Sequence, residues 1–559
     1  MNKSTNSDSR FVHKESRYER GIMWREVLIL SLASGAAHGG FPYITPTQGQ
    51  VWPIPREVKT TEKYFIMGPE NFNFTIKAHT CDVLELALAR YSAIIFSYPG
   101  GDKQKKADHE NWRNNDISAD PLTGLDIVLT KECEKYPYLG MNEEYDIRVS
   151  SSNNVGTATL NSTSIWGILR GLETFSQILI PDPKPPTYVV NETIIKDGPR
   201  FPHRGLLIDT SRHYLPLLQI LYTIDILAMN KMNVLHWHIV DSQSFPYVSE
   251  AFPELSGKGA YNQERLYAPE EIGQVIDYGR LNGVRVVPEF DTPGHTQSWG
   301  PGQPGFLTPC YSGDKPDGTF GPVDPTNEDN YDFLKEFFKE VAERFPDHYV
   351  HLGGDEVSFD CWKSNPQITD FMKKENITGD YGKLEEVYIT KLLEIVSNLP
   401  TKNGYIIWQE VFDNGVKIAP DTVVQVWKGG WQDEMAKVTE GGFKTLLSSC
   451  WYLDYISYGA DWRNYYSCDP FDFNGTSTQK ELIQGGEACI WGEFVDKTNL
   501  IPRTWPRASA VAEKLWSPEE LSKDANSAAP RIEEFRCKLV YRGYNVESLG
   551  PSFCMGDNI

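Results

Sequence analysis

From Arg204 onward the chain repeats one beat, and no other feature constrains its fold as strongly. A short apolar run ends, and an acid, a histidine or a tryptophan follows. Residues 204–208 lead to Asp209, 232–240 to Asp241, and 283–288 to Glu289, Asp291 and His295. Residues 349–354 lead to Asp355 and Glu356, 404–407 to Trp408 and Glu410, and 422–426 to Trp427. Residues 443–448 lead to Trp451, Tyr452 and Asp454, and 486–490 to Trp491 and Glu493. Helical patterns separate most of the runs, for example over 269–282, 330–344 and 383–398. Eight short strands alternating with helices predict a parallel (β/α)8 barrel. Such a barrel carries every strand's carboxyl end on one face, so residues distant in sequence converge there. A lone tryptophan after a strand is more often core than substrate platform; the shared position of so many polar and aromatic residues argues for a site.

The central segment is Tyr349-Val-His-Leu-Gly-Gly-Asp-Glu-Val357. Its apolar run rises into two glycines, which permit backbone angles other residues resist, and then delivers two adjacent carboxylates. Alone, the segment also reads as a helix start, with Asp355 as cap and Glu356 as a solvated first-turn acid.

At 559 residues the chain suits two domains. Residues 41–196 read as a small α+β domain: 71–76 and 145–149 alternate like half-buried strands, while 81–92 and 164–180 carry apolar positions at helical spacing. The Pro-rich stretch 180–186 reads as a connection, and 197–559 as the catalytic barrel with its tail. A net charge of −22 excludes nucleic acid as a partner, because phosphate binding needs basic patches. Protonating all 11 histidines halves it to −11, so an acidic compartment reduces self-repulsion.

Residues 1–37 read as a polar extension and a secretory signal peptide, in which Met23 is a possible start and 27–33 the apolar core. That run is too short to span a bilayer, and no other is long enough. Sequons at Asn73, Asn161, Asn191, Asn376 and Asn474 agree with export. In an oxidising compartment the dispersed cysteines are expected to pair locally, Cys81 with Cys133, Cys310 with Cys361 and Cys537 with Cys554, with Cys450 and Cys468 a candidate fourth pair whose role the sequence leaves open. Cys489 is left as a buried thiol in an apolar run. No CxxC pair or other metal-ligand spacing occurs.

A rim of carboxylates and tryptophans suits carbohydrate, which offers hydroxyls to acids and flat C–H faces to rings. Hydrolysis of a glycosidic bond needs a general acid and a stabiliser of an oxocarbenium-like centre. Adjacent strand-end residues point in different directions. Asp355 and Glu356 are therefore poorly suited to flank one anomeric carbon as nucleophile and acid. Either another strand supplies the second acid or the substrate supplies the nucleophile.

The segment His351-Leu-Gly-Gly-Asp-Glu-Val357 resembles the catalytic motif of the β-N-acetylhexosaminidases of glycoside hydrolase family 20. So do 203–214, His236-Trp-His-Ile-Val-Asp241, Pro288-Glu-Phe-Asp-Thr-Pro-Gly-His295 and 485–493, in the same order. The resemblance implies exo-hydrolysis of terminal β-GlcNAc or β-GalNAc with retention, the 2-acetamido oxygen acting as nucleophile. It implies Glu356 as general acid and base, Asp355 as partner of the acetamido nitrogen, and Tyr452 as donor to the acetamido oxygen. Trp408, Trp427 and Trp491 would box in the sugar, while Arg204, Glu493 and Asp454 would hold its hydroxyls. Asp241 and His295 would orient or tune Glu356. It implies no metal and no cofactor.

The resemblance also implies a homodimer or a heterodimer with a related subunit, in which Tyr458 reaches toward the partner, and a lysosomal or secreted location. Asp454-Tyr455 follows the animal subunit type that carries an acid and an apolar residue there, rather than the type with Asn-Arg. An acid repels a sulfated sugar, so neutral substrates are expected to be preferred; Tyr455 departs from both types. The competing readings are a carbohydrate-binding protein on an inactive barrel and an endo-chitinase, whose DxxDxDxE strand end is missing.

Overall fold

The computed structural model describes residues 44–96, 120–152, 155–181, 187–401, 403–455, 457 and 459–554. The expected signal segment, residues 182–186 of the Pro-rich connection and Tyr458 lie outside the described residues.

The amino-terminal part is a mixed sheet of β1 (Glu57–Met67), β2 (Asn73–Ile76), β3 (Asp120–Leu129), β4 (Tyr145–Ser152), β5 (Val155–Ser162), β6 (Ile180–Pro181) and β7 (Tyr188–Asp197). Two helices accompany it, Asp82–Phe96 and Ile165–Gln177. The second is buried along almost its whole length. Its glycines make this possible: a Cβ at Gly171 would meet Leu160 Cδ1 at 2.2 Å.

The barrel closes in the order β10 (Arg285–Phe290), β13 (Tyr349–His351), β14 (Gly404–Trp408), β15 (Val423–Val426), β16 (Lys444–Leu447), β17 (Ile483–Ile490), β8 (His203–Asp209), β9 (Val234–Val240). Every pairing in it is parallel. A hairpin of β11 (Leu307–Ser312) and β12 (Lys315–Val323) stands between β10 and β13. Strands β8, β9, β10, β13, β14 and β15 are buried at every position, as a parallel sheet covered by helices requires. The runs read from the sequence are these strands.

Strand parity then sorts the side chains. Leu206, Ile208, Leu235, Trp237, Val286, Val350, Tyr405 and Val424 face outward and join the core under the helices. Val234, Val287, Tyr349, Ile406, Val423 and Leu446 form an apolar layer inside the amino end of the barrel. Leu207, Trp408, Tyr452 and Cys489, with Trp427 and Trp491 against them, form an aromatic layer inside the carboxyl end. Between them the inward positions are His236, Glu289, His351, Gln425 and Glu487, all buried.

The two parts share a buried ionic seam. Glu143 accepts from Arg170 Nε at 2.9 Å and from Arg204 Nη2 at 2.6 Å, while Arg170 also reaches Gly283 O at 2.7 Å. Lys231 donates to Asp197 and to Tyr145, each at 2.9 Å. The last long helix, Ala525–Tyr541, spans both parts. Its Glu534 accepts from the Thr47 hydroxyl and the Gly49 N–H, each at 2.7 Å, and Arg542 after it pairs with Glu173 at 3.0 Å. The three expected disulfides and the candidate Cys450–Cys468 pair all form, and Cys489 is free and buried.

Candidate active site

The loop after β13 is shaped by glycine. Gly353 and Gly354 take φ of +67° and +97°. A Cβ on Gly353 would lie 1.8 Å from Asp291 Oδ1, so that position needs both glycine's freedom and its missing side chain. The Gly354 N–H donates to the same oxygen at 2.7 Å, and Trp408 N donates to Gly353 O at 3.0 Å. Loop, β10 end and β14 end are thereby fastened together. Glu356 follows with φ of +49° and His295 has +56°, left-handed conformations unusual for such residues. Asp355 does not cap the next helix, which begins at Asp360 behind Phe359.

The two adjacent carboxylates have opposite surroundings. The Asp355 side chain is 11% exposed, and its Oδ1 is buried without a hydrogen-bond partner. Glu356 is 61% exposed. His295 stands beside both, with Nε2 3.9 Å from Asp355 Oδ2 and 3.7 Å from Glu356 Oε2. Its Nδ1 faces Asp241 Oδ1 at 3.2 Å. Burial opposes charge on this ring, but the carboxylates of Asp291, Asp241 and Asp355 outweigh it and lift its pKa to about 10. Burial, and then the facing Asp355 carboxylate, push Asp291 well above the usual range. Asp241 is held far below that range: burial would raise it, but hydrogen bonds from His238 and His295 prevail.

The aromatic walls are similarly held. Trp408 Nε1 donates to Glu289 Oε1, and Trp427 Nε1 to Glu410 Oε2, each at 2.8 Å. Trp427 stacks on Tyr452 with centroids 6.1 Å apart, and Tyr452 stacks on the exposed Tyr455 at 5.8 Å. Backbone bonds between 451–453 and Cys489 fix the Tyr452 loop to β17. Asp454 Oδ1 is buried and unpartnered, and burial raises the Asp454 pKa to about 6. Glu493, half exposed, lies 3.9 Å from Arg212.

Ten of the expected site residues therefore gather at the carboxyl face: Asp355, Glu356, Tyr452, Asp241, His295, Trp408, Trp427, Asp454, Trp491 and Glu493. Arg204 does not. It occupies an outward parity near the amino end of β8, fully buried, with its cation 5.0 Å over Trp516. Its donors go to Lys231 O, Phe201 O and Glu143, so it can hold no substrate. The arginine at the site is Arg212, which pairs with Asp209 at 3.1 Å and Asp241 at 2.9 Å and lies 5.1 Å over Trp491. The signal for it was in the sequence: it follows a strand's carboxyl end, whereas Arg204 begins one.

Among the described residues three clusters have metal-ligand chemistry: Glu533 with Cys537 and Cys554, whose thiols form a disulfide, Asp291 with His295 and Asp355, and His236 with Glu289 and His351. In the last two, ion pairing and hydrogen bonding within the protein engage the rings. His295 is a cation, His236 lies between two carboxylates, and His351 Nδ1 accepts the Gly353 N–H at 3.0 Å. Burial depresses the His351 pKa to about 3, leaving that ring neutral.

Residues 201–519 match the family model described as glycosyl hydrolase family 20, catalytic domain, and 51–178 match one described as beta-acetyl hexosaminidase like. The chain is 50% identical over 510 residues to the cat beta-hexosaminidase subunit beta, covering 90% of this chain and 93% of that one. It is 48% identical over 514 residues to the bovine subunit alpha, covering 90% and 94%. Among solved structures, a Flavobacterium johnsoniae chitobiase superposes with a TM-score of 0.75 at 29% identity, covering 88% of this chain and 73% of that one.

Proposed function

Because the chain belongs to glycosyl hydrolase family 20, we propose that it removes terminal β-linked GlcNAc or GalNAc by a substrate-assisted, retaining route. The carboxylate pair carries this reading. One acid is exposed beside a cationic histidine and the other is enclosed with an unpartnered oxygen. They are dissimilar groups with dissimilar tasks, not a matched nucleophile and acid.

In the first step the acetamido carbonyl oxygen attacks C1 while Glu356 gives its proton to the departing glycosidic oxygen. The C1–O bond breaks and an oxazolinium ion forms. Asp355 accepts the acetamido N–H and stabilises its growing positive charge, and Tyr452 donates to the acetamido oxygen. Trp408, Trp427 and Trp491 enclose the ring and exclude water from the wrong face. In the second step Glu356 takes a proton from water, which attacks C1 and restores the acetamide. Arg212, rather than Arg204, joins Glu493 and Asp454 on the hydroxyls. Asp241 and His295 orient Glu356.

Asp454 and the uncharged Tyr455 favour neutral over sulfated sugars, because an acid at the pocket's edge repels sulfate. Pairing with a second copy or a related subunit is supported by relatives described as subunits. A lysosomal or secreted location is supported by four disulfides and by five sequon asparagines, none of them buried. Among the described residues no helix is long and apolar enough to cross a membrane.

Turnover of 4-nitrophenyl β-N-acetylglucosaminide, followed from about pH 3 to about pH 8, tests the reading. Glu356→Gln should lower kcat about 10²–10⁴-fold, the usual contribution of a general acid. Sugar binding by the wild type without turnover at any pH would establish the inactive-barrel reading instead.

A further inference from the structure

The centre of a (β/α)8 barrel is ordinarily filled by branched aliphatic side chains. Here it is ionic, and the charges alternate along one line that climbs the barrel. His203 Nε2 donates to Glu487 Oε1 at 2.6 Å. The other oxygen, Glu487 Oε2, accepts from His236 Nδ1 at 2.7 Å and from Gln425 Nε2 at 2.8 Å. His236 Nε2 lies 3.0 Å from Glu289 Oε2, and the same oxygen accepts from His238 Nδ1 at 2.7 Å. His238 Nε2 donates to Asp241 Oδ2 at 2.8 Å. Asp241 Oδ1 then faces His295, whose far nitrogen reaches Glu356 at 3.7 Å.

We infer that this buried histidine–carboxylate line, from Glu487 through His236, Glu289 and His238, is a positioning array that fixes the charge and orientation of His295 against Glu356. The inference rests on the reading of Glu356 as general acid.

Three observations support it. First, every member below His295 is buried. An isolated buried ion costs several kcal/mol, and apolar residues of the same volume would stabilise the barrel as well or better, so stability alone does not account for the line. Second, the charges are locked. Burial opposes charge on His236 and His238, but the flanking carboxylates prevail and lift them to about 9 and about 10, while Glu289 and Glu487 are held well below their usual range against burial by the same rings. His203, lowered by burial, closes the line as a neutral ring. Third, carboxyl groups outnumber cations around its upper end and favour the charged His295 ring, against the nearby Arg212 guanidinium. Asp241, Asp291, Asp355 and Glu356 face it, with the Arg212 guanidinium 3.5 Å from Nδ1. At the Glu289 level the remaining neighbours are the neutral His351 ring, 3.3 Å from Oε1, and the Trp408 indole. A fixed cation beside Glu356 stabilises the carboxylate that forms as the proton leaves. The His236 Nε2 contact with Glu289 is an ion pair rather than a hydrogen bond, so the line acts at that step through charge.

The test compares leaving groups. A departing sugar alkoxide needs the acid; 2,4-dinitrophenolate does not. Glu487→Gln and Glu289→Gln should each lower kcat/KM for N,N′-diacetylchitobiose at least about tenfold more than for the 2,4-dinitrophenyl glycoside. They should also move the alkaline limb of the chitobiose pH profile. Equal losses on both substrates, or no loss in folded variants, would overturn the array. Glu356→Gln is the reference: if it too loses both substrates equally, the general-acid reading itself fails. If it splits them and the other two do not, only the array fails. The wild type gives an independent readout that needs no variant. Low-field imidazolium N–H proton resonances should persist unchanged from about pH 5 to about pH 8, and their titration near the ordinary histidine value of about 6.5 would overturn the inference.

Discussion

At the scale of single residues, environment separates groups that look alike in sequence. Arg204 and Arg212 are both arginines near β8, but one closes a buried seam and the other lies on the sugar pocket. Arg204→Ala should cost about 3–5 kcal/mol of stability, the usual penalty for stranding a buried partner, with KM unchanged in the folded fraction. Arg212→Ala should raise KM. Thermal melts and Michaelis curves on the two variants distinguish these outcomes. Asp454 gives a pH-dependent case. Its pKa of about 6 means that it is ionised above that value and increasingly neutral below it. Discrimination against a 6-sulfated glucosaminide should therefore sharpen as pH rises through about 6, and Asp454→Asn should flatten that dependence. Equal kcat/KM ratios for sulfated and neutral substrates on both sides of pH 6 would refute this role.

At the scale of elements, the loop between β13 and Glu356 couples backbone shape to chemistry. Gly353→Ala adds strain at a left-handed φ, about 1–3 kcal/mol, and drives a methyl into Asp291. The expected result is a lower Tm together with loss of most activity, because Asp355, Glu356 and the Asp291 contact move with the loop. An active variant with an unchanged melt would show that the loop tolerates a side chain. The elements themselves were largely legible. The strand runs were visible because outward parity is apolar, and the helix over Pro269–Asn282 falls where its periodicity predicts. The same period-2 pattern concealed the ionic line, since His236, His238, Glu289 and Glu487 sit inside runs that read as apolar strands.

At the scale of the molecule, the raised histidines and carboxyls point toward acid. His236, His238 and His295 have folded pKa values raised to about 9–10. Their stabilisation is complete below the unfolded value of about 6.5 and is lost as pH rises toward 9–10. Burial raises Asp454 to about 6 and Glu385 to about 7. Each binds its proton more tightly when folded, so each also favours the fold at lower pH. With a net charge of −22 adding self-repulsion at high pH, Tm should be higher near pH 5 than near pH 9. The neutral His351 ring, lowered to about 3, offsets part of this, because its contribution fades as pH falls below about 6.5, and Asp241, Glu289 and Glu487, held low, add to that loss below the ordinary carboxylate value of about 4. A melt series in a constant-ionic-strength buffer decides the sign.

The sequence by itself determined how many strands the barrel has and which acids sit at strand ends. Each follows from local physics: parallel strands buried on both faces must be apolar, and glycines must stand where the backbone turns left-handed. Only the tertiary structure decided which way each residue faces and what it meets there. Parity and register turned Arg204 outward, brought Arg212 over Trp491, and aligned residues from three strands into one column of alternating charge. Proximity of that kind arises from closure of the barrel, and no run of the chain contains it.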